Sequence, residues 1–336
     1  MKITPTEVTK HFASLYNGSN PQYFAGGHDW SDGTLFTMEI AGHSHVLKIL
    51  PGGTEHSLDT VRERMSFSGY AAEHGVQTIK PLLSAKGKMV EQHSEESGEY
   101  LAVCWKYIPG KALENSDPRD SGEFYHAWGA LLGKLHRLAR KYPTWQESEA
   151  KDASGKALIS RKAEYEVFYN WLQDTEVKAA WQKLAASLDV HPVRRNNYGF
   201  VHNDAHSGNI LRNDSGLVLL DFDVANCLWF ALDLAICINS EYARILHHSS
   251  HKDKAADMKR LFLEPFMQGY NSENSLAEDD LKSIGSFIHY RHFLMFAVFY
   301  NQIKENAPKY LEIMKGELLS GESYIRSQTE EFFGKL

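Results

Sequence analysis

Two short runs, Thr-Leu-Phe-Thr-Met-Glu-Ile at 34–40 and His-Val-Leu-Lys-Ile-Leu at 45–50, flank Ala41-Gly42, a pattern that predicts two strands joined by a tight turn. The apolar spacing then changes. Leu58, Val61, Met65 and Ala72 fall on one stripe, which predicts a helix over 57–74 with Gly75 placed to end it. After Pro81 the chain predicts a hairpin and a strand at 100–108, which runs into Pro109-Gly110, a dipeptide suited to a boundary between lobes. Beyond it Phe124, Ala127, Leu131, Leu135 and Leu138 recur at three and four, the spacing of a buried helix face over 123–140. The remainder reads as mostly helix, and Phe293, Phe296, Phe299 and Tyr300 read as helical core. The exception is a set of short strands at 199–201, 210–212 and 217–220 around the turn Asn213-Asp214-Ser215-Gly216. The expected architecture is α+β: a small first part, 1–108, with an antiparallel sheet and one helix, and a larger, mainly helical part, 109–336.

A chain of 336 residues exceeds what one hydrophobic core usually organises, so two packed lobes around a cleft are expected. The 43% hydrophobic and 24% charged residues are the proportions of an ordinary globular protein, which excludes a disordered or fibrous chain. The net charge is −7 and no segment is a basic arm, so nucleic acid is not an expected partner. The longest apolar stretch, Cys227–Ile238, is interrupted by Asp233, and the N-terminus lacks the apolar run of a secretory signal. A cytoplasmic protein with no membrane association is expected. Cys104, Cys227 and Cys237 form no Cys-x-x-Cys pair and read as reduced core thiols. His43 and His45 alternate on a strand, but no cysteine stands near to complete a zinc site.

One segment concentrates chemistry. His202-Asn203-Asp204-Ala205-His206-Ser207-Gly208-Asn209 places a carboxylate and an amide five residues apart on a loop between short strands, and Asp221-Phe222-Asp223 follows the next apolar strand. Phosphoryl transfer from ATP requires a carboxylate to orient and deprotonate the acceptor hydroxyl, oxygen ligands for Mg²⁺ and a cation on the phosphates. One Asp and one Asn, with phosphate oxygens and water, suffice for Mg²⁺. An Asp-x₄-Asn alone is also ordinary turn chemistry.

His202–Asn209 followed by Leu219-Leu220-Asp221-Phe222-Asp223 resembles the catalytic and metal-binding loops of the aminoglycoside phosphotransferase family, whose relatives include choline kinases and type II homoserine kinases and whose fold is similar to that of protein kinases. The family pattern is His-Gly-Asp, four residues, then Asn; here the middle Gly is Asn203. The resemblance implies Asp204 as catalytic base, Asn209 and Asp221 as Mg²⁺ ligands, and Asp233 as an anchor for the loop. Asp223 stands where protein kinases have Gly and is structural or a second metal contact. Val46-Leu47-Lys48-Ile49 resembles the strand that delivers the phosphate-binding Lys of kinases, with Glu63, or alternatively Glu55, as its ion-pair partner. The loop from Gly26-Gly27 to Gly33 is expected to cover the nucleotide, ATP or GTP.

The leading expectation is therefore a kinase that phosphorylates a hydroxyl of a small molecule such as an amino alcohol, a sugar, homoserine or an aminoglycoside. A protein Ser/Thr kinase of the same fold and a non-catalytic nucleotide-binding member are the alternatives. Trp229, Glu241, Tyr242, Tyr270, Tyr290 and Arg291 are candidates for an acceptor pocket. The acceptor's identity and the oligomeric state stay open.

Overall fold

The computed structural model describes residues 4–26, 33–53, 56–96, 98–113, 122–146, 150–152, 154–248 and 254–334. The chain opens with helix α1 (Thr6–Leu15), strands β1 (Ser19–Gly26), β2 (Thr34–Ile40) and β3 (His43–Pro51), helix α2 (Leu58–Glu73), then β4 (Glu91–Glu95) and β5 (Gly98–Lys106). These strands form one antiparallel sheet in the order β1-β2-β3-β5-β4. The β2–β3 turn places both Ala41 (φ 51°) and Gly42 (φ 78°) in the left-handed region, the backbone that lets a two-residue hairpin follow the strand twist. Ser57 caps α2 by accepting from Thr60 N, and Gly75 (φ 83°) follows its end.

Side chains alternate across β3, so the sheet is apolar on both faces. Leu47 and Ile49 pack beneath α1 with Val8, Phe12, Phe36 and Met38. Val46 and Leu50 face the other way, into the main core with Val61 and Met65 of α2. Lys48 lies between Val46 and Leu50 in sequence and therefore shares their face. That placement puts a cation inside the cleft.

Beyond β6 (Lys111–Ala112) the chain is mainly helical: α3 (Gly122–Ala139), α4 (Arg161–Trp171), α5 (Thr175–Asp189), α6 (Phe230–His248), α7 (Lys254–Asp257), α8 (Glu264–Glu273), α9 (Glu278–Lys282), α10 (Ile284–Asn306), α11 (Pro308–Ser320) and α12 (Tyr324–Phe333), with a wide π-helical turn at Met258–Leu263. α3 and α8 approach closely through glycines. A Cβ on Gly129 would stand 1.9 Å from Phe266 O, and one on Gly269 would stand 1.9 Å from His126 O. Two small sheets interrupt the helices. β7 (Tyr198–Val201) pairs with β10 (Asn226–Trp229), and β8 (Ile210–Asn213) pairs with both β6 and β9 (Gly216–Leu219). The loops 202–209 and 220–225 leave these sheets toward the N-terminal sheet. No helix among the described residues is long and apolar enough to cross a membrane.

Candidate active site

A cavity of about 380 Å³ opens between the inner face of the N-terminal sheet and the loops after β7 and β9. Val46, Leu50 and Met65 form one side and Leu211 and Leu220 the opposite side, with Trp105, Tyr107 and Ile108 at the end of β5. Lys48, Asn209, Asp221 and Asp223 supply its polar wall. Phe24 and Ala25 of β1 also border it, whereas Gly26 is not among the lining residues. Gly26 has a backbone reason: its φ is 81°, and a Cβ there would stand 2.1 Å from Gly33 O. Gly27 and Glu55 lie outside the described residues.

Lys48 is not paired with Glu63. Its Nζ stands 3.0 Å from Asp221 Oδ1 and 2.5 Å from Asp223 Oδ2, while Glu63 accepts from Ala150 N at 3.0 Å. Helix geometry explains the difference. Met65 is the α2 residue that lines the cavity, and a residue two positions earlier is turned about 200° around the helix axis. Burial alone would lower the Lys48 pKa, but the two carboxylates more than reverse this and the net shift is upward. Across the shared ammonium, burial pushes both aspartates up. Lys48 brings Asp221 below its usual value, while burial and the charge of Asp221 leave Asp223 raised.

Two non-glycine residues are left-handed at the heart of the site: Asn203 (φ 65°) and Asp221 (φ 62°). Such backbone is unfavourable for most side chains and persists where surrounding contacts over-determine it. For Asn203 the contacts are plain. Its backbone N–H donates to Asp233 Oδ1 at 2.8 Å, and its side-chain amide donates to Val224 O at 3.0 Å and to Glu164 Oε2. Asn tolerates this region better than most residues, so replacing the family's Gly leaves the turn intact. Asp233, fully buried, also accepts from His202 N and from His136 Nε2, both at 3.1 Å. His202 in turn ties the two loops together, with Nε2 2.7 Å from Leu220 O.

Asp204 projects from this braced loop. Its Oδ1 accepts from Arg291 Nη2 at 2.7 Å; its Oδ2 accepts from Asn209 Nδ2 at 3.1 Å and lies 3.4 Å from His206 Nε2. Burial would raise its pKa, but His206 and Arg291 hold it well below the usual carboxylate range. Because the Asn209 amide nitrogen is engaged by the Asp204 carbonyl (2.9 Å) and carboxylate, its oxygen is the donor left for a cation. Oxygen donors from one amide and one carboxylate on one cavity wall fit a hard divalent ion that completes its shell with phosphates and water.

Of the candidate acceptor residues, only Arg291 reaches this site. Trp229, Glu241, Tyr242, Tyr270 and Tyr290 are buried. The polar atoms of three of them find interior partners: Glu241 pairs with Arg244 and Tyr125, Trp229 Nε1 donates to Pro192 O, and the Tyr270 hydroxyl bonds His136 and Asn274. Sequence reasoning did not assign Glu164, which lies beside Asn203 and Asn226 with its pKa raised by burial, or Arg64, whose Nε donates to Ala225 O. A charged residue among half-buried aromatics, as Glu164 is beside Tyr165 and Phe168, was the available signal.

A small strand-rich lobe over a helical one, with a lysine facing an Asp-Asn-Asp set across a cleft, defines a protein-kinase-like phosphotransferase. The chain belongs to the phosphotransferase enzyme family, whose profile matches residues 25–270. It is 26% identical over 269 residues to the amicoumacin kinase of Bacillus subtilis (strain 168), covering 78% of this chain and 75% of that one. Among solved structures it is similar to an amicoumacin kinase in complex with AMP-PNP, Ca²⁺ and Ami, with TM-score 0.80, 23% identity and coverage of 95% and 94% of the two chains. It also resembles a microcompartment-associated aminopropanol kinase, with TM-score 0.71, 15% identity and coverage of 97% and 99%.

Proposed function

We propose that this protein transfers the γ-phosphoryl group of ATP to a hydroxyl of a small molecule, with 1–108 as the nucleotide-binding lobe and 109–336 as the catalytic and acceptor-binding lobe. The observation that carries the reading is the convergence of Lys48, Asn209 and Asp221 on one cavity, with Asp204 hydrogen-bonded to Asn209. In this reading Lys48 holds nucleotide phosphates and Asn209 with Asp221 holds the divalent ion, which when bound neutralises charge on the phosphates. Asp204 orients the acceptor hydroxyl and takes its proton. Glu63 has no direct part; Asp223 holds Lys48. The likeness to an amicoumacin kinase and an aminopropanol kinase supports a hydroxylated, amine-bearing acceptor.

A protein acceptor is disfavoured because only Val224 and Ala225 separate Asp223 from β10, which leads directly into α6. No long segment stands there to dock a polypeptide. The test is coupled ADP release from purified protein with Mg²⁺-ATP and, in turn, amicoumacin, 1-amino-2-propanol, choline, homoserine and an aminoglycoside. At least one should accelerate ADP release, and Asp204→Asn should slow it by about 10²–10⁴. Labelling of a protein substrate with no response to any small hydroxyl compound would refute the proposal.

A further inference from the structure

The residue closest to the proposed base from outside its own loop comes from the C-terminal part of the chain. Arg291 sits on α10, beyond the segment 25–270 that the family profile matches. Its neighbours at helical spacing, Ile284, Ile288, Met295 and Val298, make an apolar or partly buried stripe, and Arg291 interrupts it. A guanidinium with only 15% of its side chain exposed is costly unless it meets a carboxylate. It meets one at 2.7 Å, Asp204 Oδ1, and it also acts favourably on Glu164 of α4. Asp204 is thus tethered from two directions: Oδ2 by Asn209 and His206 of its own loop, and Oδ1 by a helix 87 residues further on.

We propose that Arg291 is the positioning residue for Asp204, fixing the rotation of its carboxylate so that one lone pair stays aimed at the acceptor hydroxyl. The proposal rests on the phosphotransfer reading above. In that reaction the acceptor oxygen bonds to the γ-phosphorus, and the bond from phosphorus to the β,γ-bridging oxygen breaks with its electron pair leaving on ADP. The hydroxyl proton passes to Asp204. Arg291 exchanges no atoms in the step; it supplies the second tether without which the carboxylate can turn about its last bond. A misplacement of about 1 Å at such a group costs on the order of 10²-fold in rate.

Arg291→Met, Arg291→Lys, Asp204→Asn and the double variant Asp204→Asn/Arg291→Met are compared with wild type. The acceptors are amicoumacin, 1-amino-2-propanol and water, the last through release of labelled phosphate from ATP. Arg291→Met is expected to lower kcat by roughly 10–10²-fold while leaving the melting shift with Mg²⁺-AMP-PNP as in wild type. Arg291→Lys should recover part of kcat, and methylguanidinium added to Arg291→Met should recover part as well. The double variant should turn over no more slowly than Asp204→Asn, because a residue that acts through Asp204 has nothing left to position. Unchanged kcat in Arg291→Met, losses that multiply in the double variant, or a change confined to acceptor KM would each overturn the proposal and leave the phosphotransfer reading standing. Turnover insensitive to Asp204→Asn would remove that reading and this proposal together. Should Arg291→Met not fold, Arg291→Lys decides: a native melting temperature with kcat equal to wild type overturns the role, because a point ammonium cannot hold a carboxylate's rotation as a guanidinium does.

Discussion

Asp233→Asn should uncouple the catalytic loop from the helical core, and the hydrogen bonds set the size of the effect. Asp233 is fully buried and accepts three bonds: Oδ1 from Asn203 N, Oδ2 from His202 N and from His136 Nε2. The proton on His136 Nε2 is fixed by its other nitrogen, because the Tyr270 hydroxyl accepts from Asn274 Nδ2 and so donates to His136 Nδ1. An asparagine keeps one acceptor oxygen. Placed at the Oδ2 position, it retains His202 and His136 but turns its amide hydrogens toward the Asn203 N–H, losing one charge-assisted bond and leaving a buried donor without a partner. Placed the other way, it loses two bonds. The less costly arrangement still costs about 2–4 kcal/mol, which for a chain this large is a fall of roughly 3–6 °C in Tm. Calorimetry measures the Tm, and single-turnover phosphotransfer measures the rate. The rate should fall at least about tenfold, because Asn203 precedes Asp204 and its left-handed backbone depends on the lost bond. A variant that melts within 1 °C of wild type with unchanged turnover would refute the claim that Asp233 holds the loop.

Two further outcomes follow from the same geometry. Asp221→Asn should weaken the Mg²⁺ dependence of nucleotide binding by calorimetry, whereas Asp204→Asn leaves it near wild type; the reverse pattern would exchange the two roles. The half-buried His292, held down to about 4 by desolvation and then by His289 and Arg326, stays neutral in the folded protein below the pH at which the unfolded chain protonates it. Protons therefore favour the unfolded state as pH drops from about 6.5 toward 4, and Tm should fall over that window. His292→Gln, whose amide can still donate to Asn239, should flatten that slope, and an unaltered slope would exclude His292 as a source.

The loops that carry Asp204, Asn209 and Asp221 were legible because their chemistry is local: each residue lies within a few positions of a turn, and short strands bracket both loops. β2, β3, α2 and α3 were legible for the same reason, since a turn or a helical apolar stripe announces each. β10 was not, because Asn226–Trp229 runs without a break into α6 and an apolar run of that length does not separate strand from helix. α1 and β1 lacked a strong enough pattern to be read. Partner choice was the least legible property. The apolar stripe of α2 told which side of the helix is buried, but not whether Glu63 or Met65 turns to the cleft. Polar residues on other helices, Glu241 and Tyr270 among them, were taken for a pocket because one interior partner of each stands far off in sequence: Tyr125 is 116 residues from Glu241 and His136 is 134 from Tyr270.

The arrangement around Lys48 assigns different work to the two aspartates of Asp221-Phe222-Asp223. Asp221 leaves 44% of its side chain exposed in the cleft, while Asp223 leaves 17%, so Asp221 is the one with a face free to turn toward a cation and phosphates. If Asp221 were the sole partner of Lys48, recruiting it to a metal would leave a buried ammonium uncompensated, at a cost of several kcal/mol. Asp223, at 2.5 Å, removes that cost by keeping Lys48 neutralised and in place whether or not Asp221 is engaged. The position that is glycine in protein kinases thereby performs the holding role that sequence order had suggested for the α2 glutamate. Glu63 instead accepts from Ala150 N and joins α2 to the segment that leads into α4.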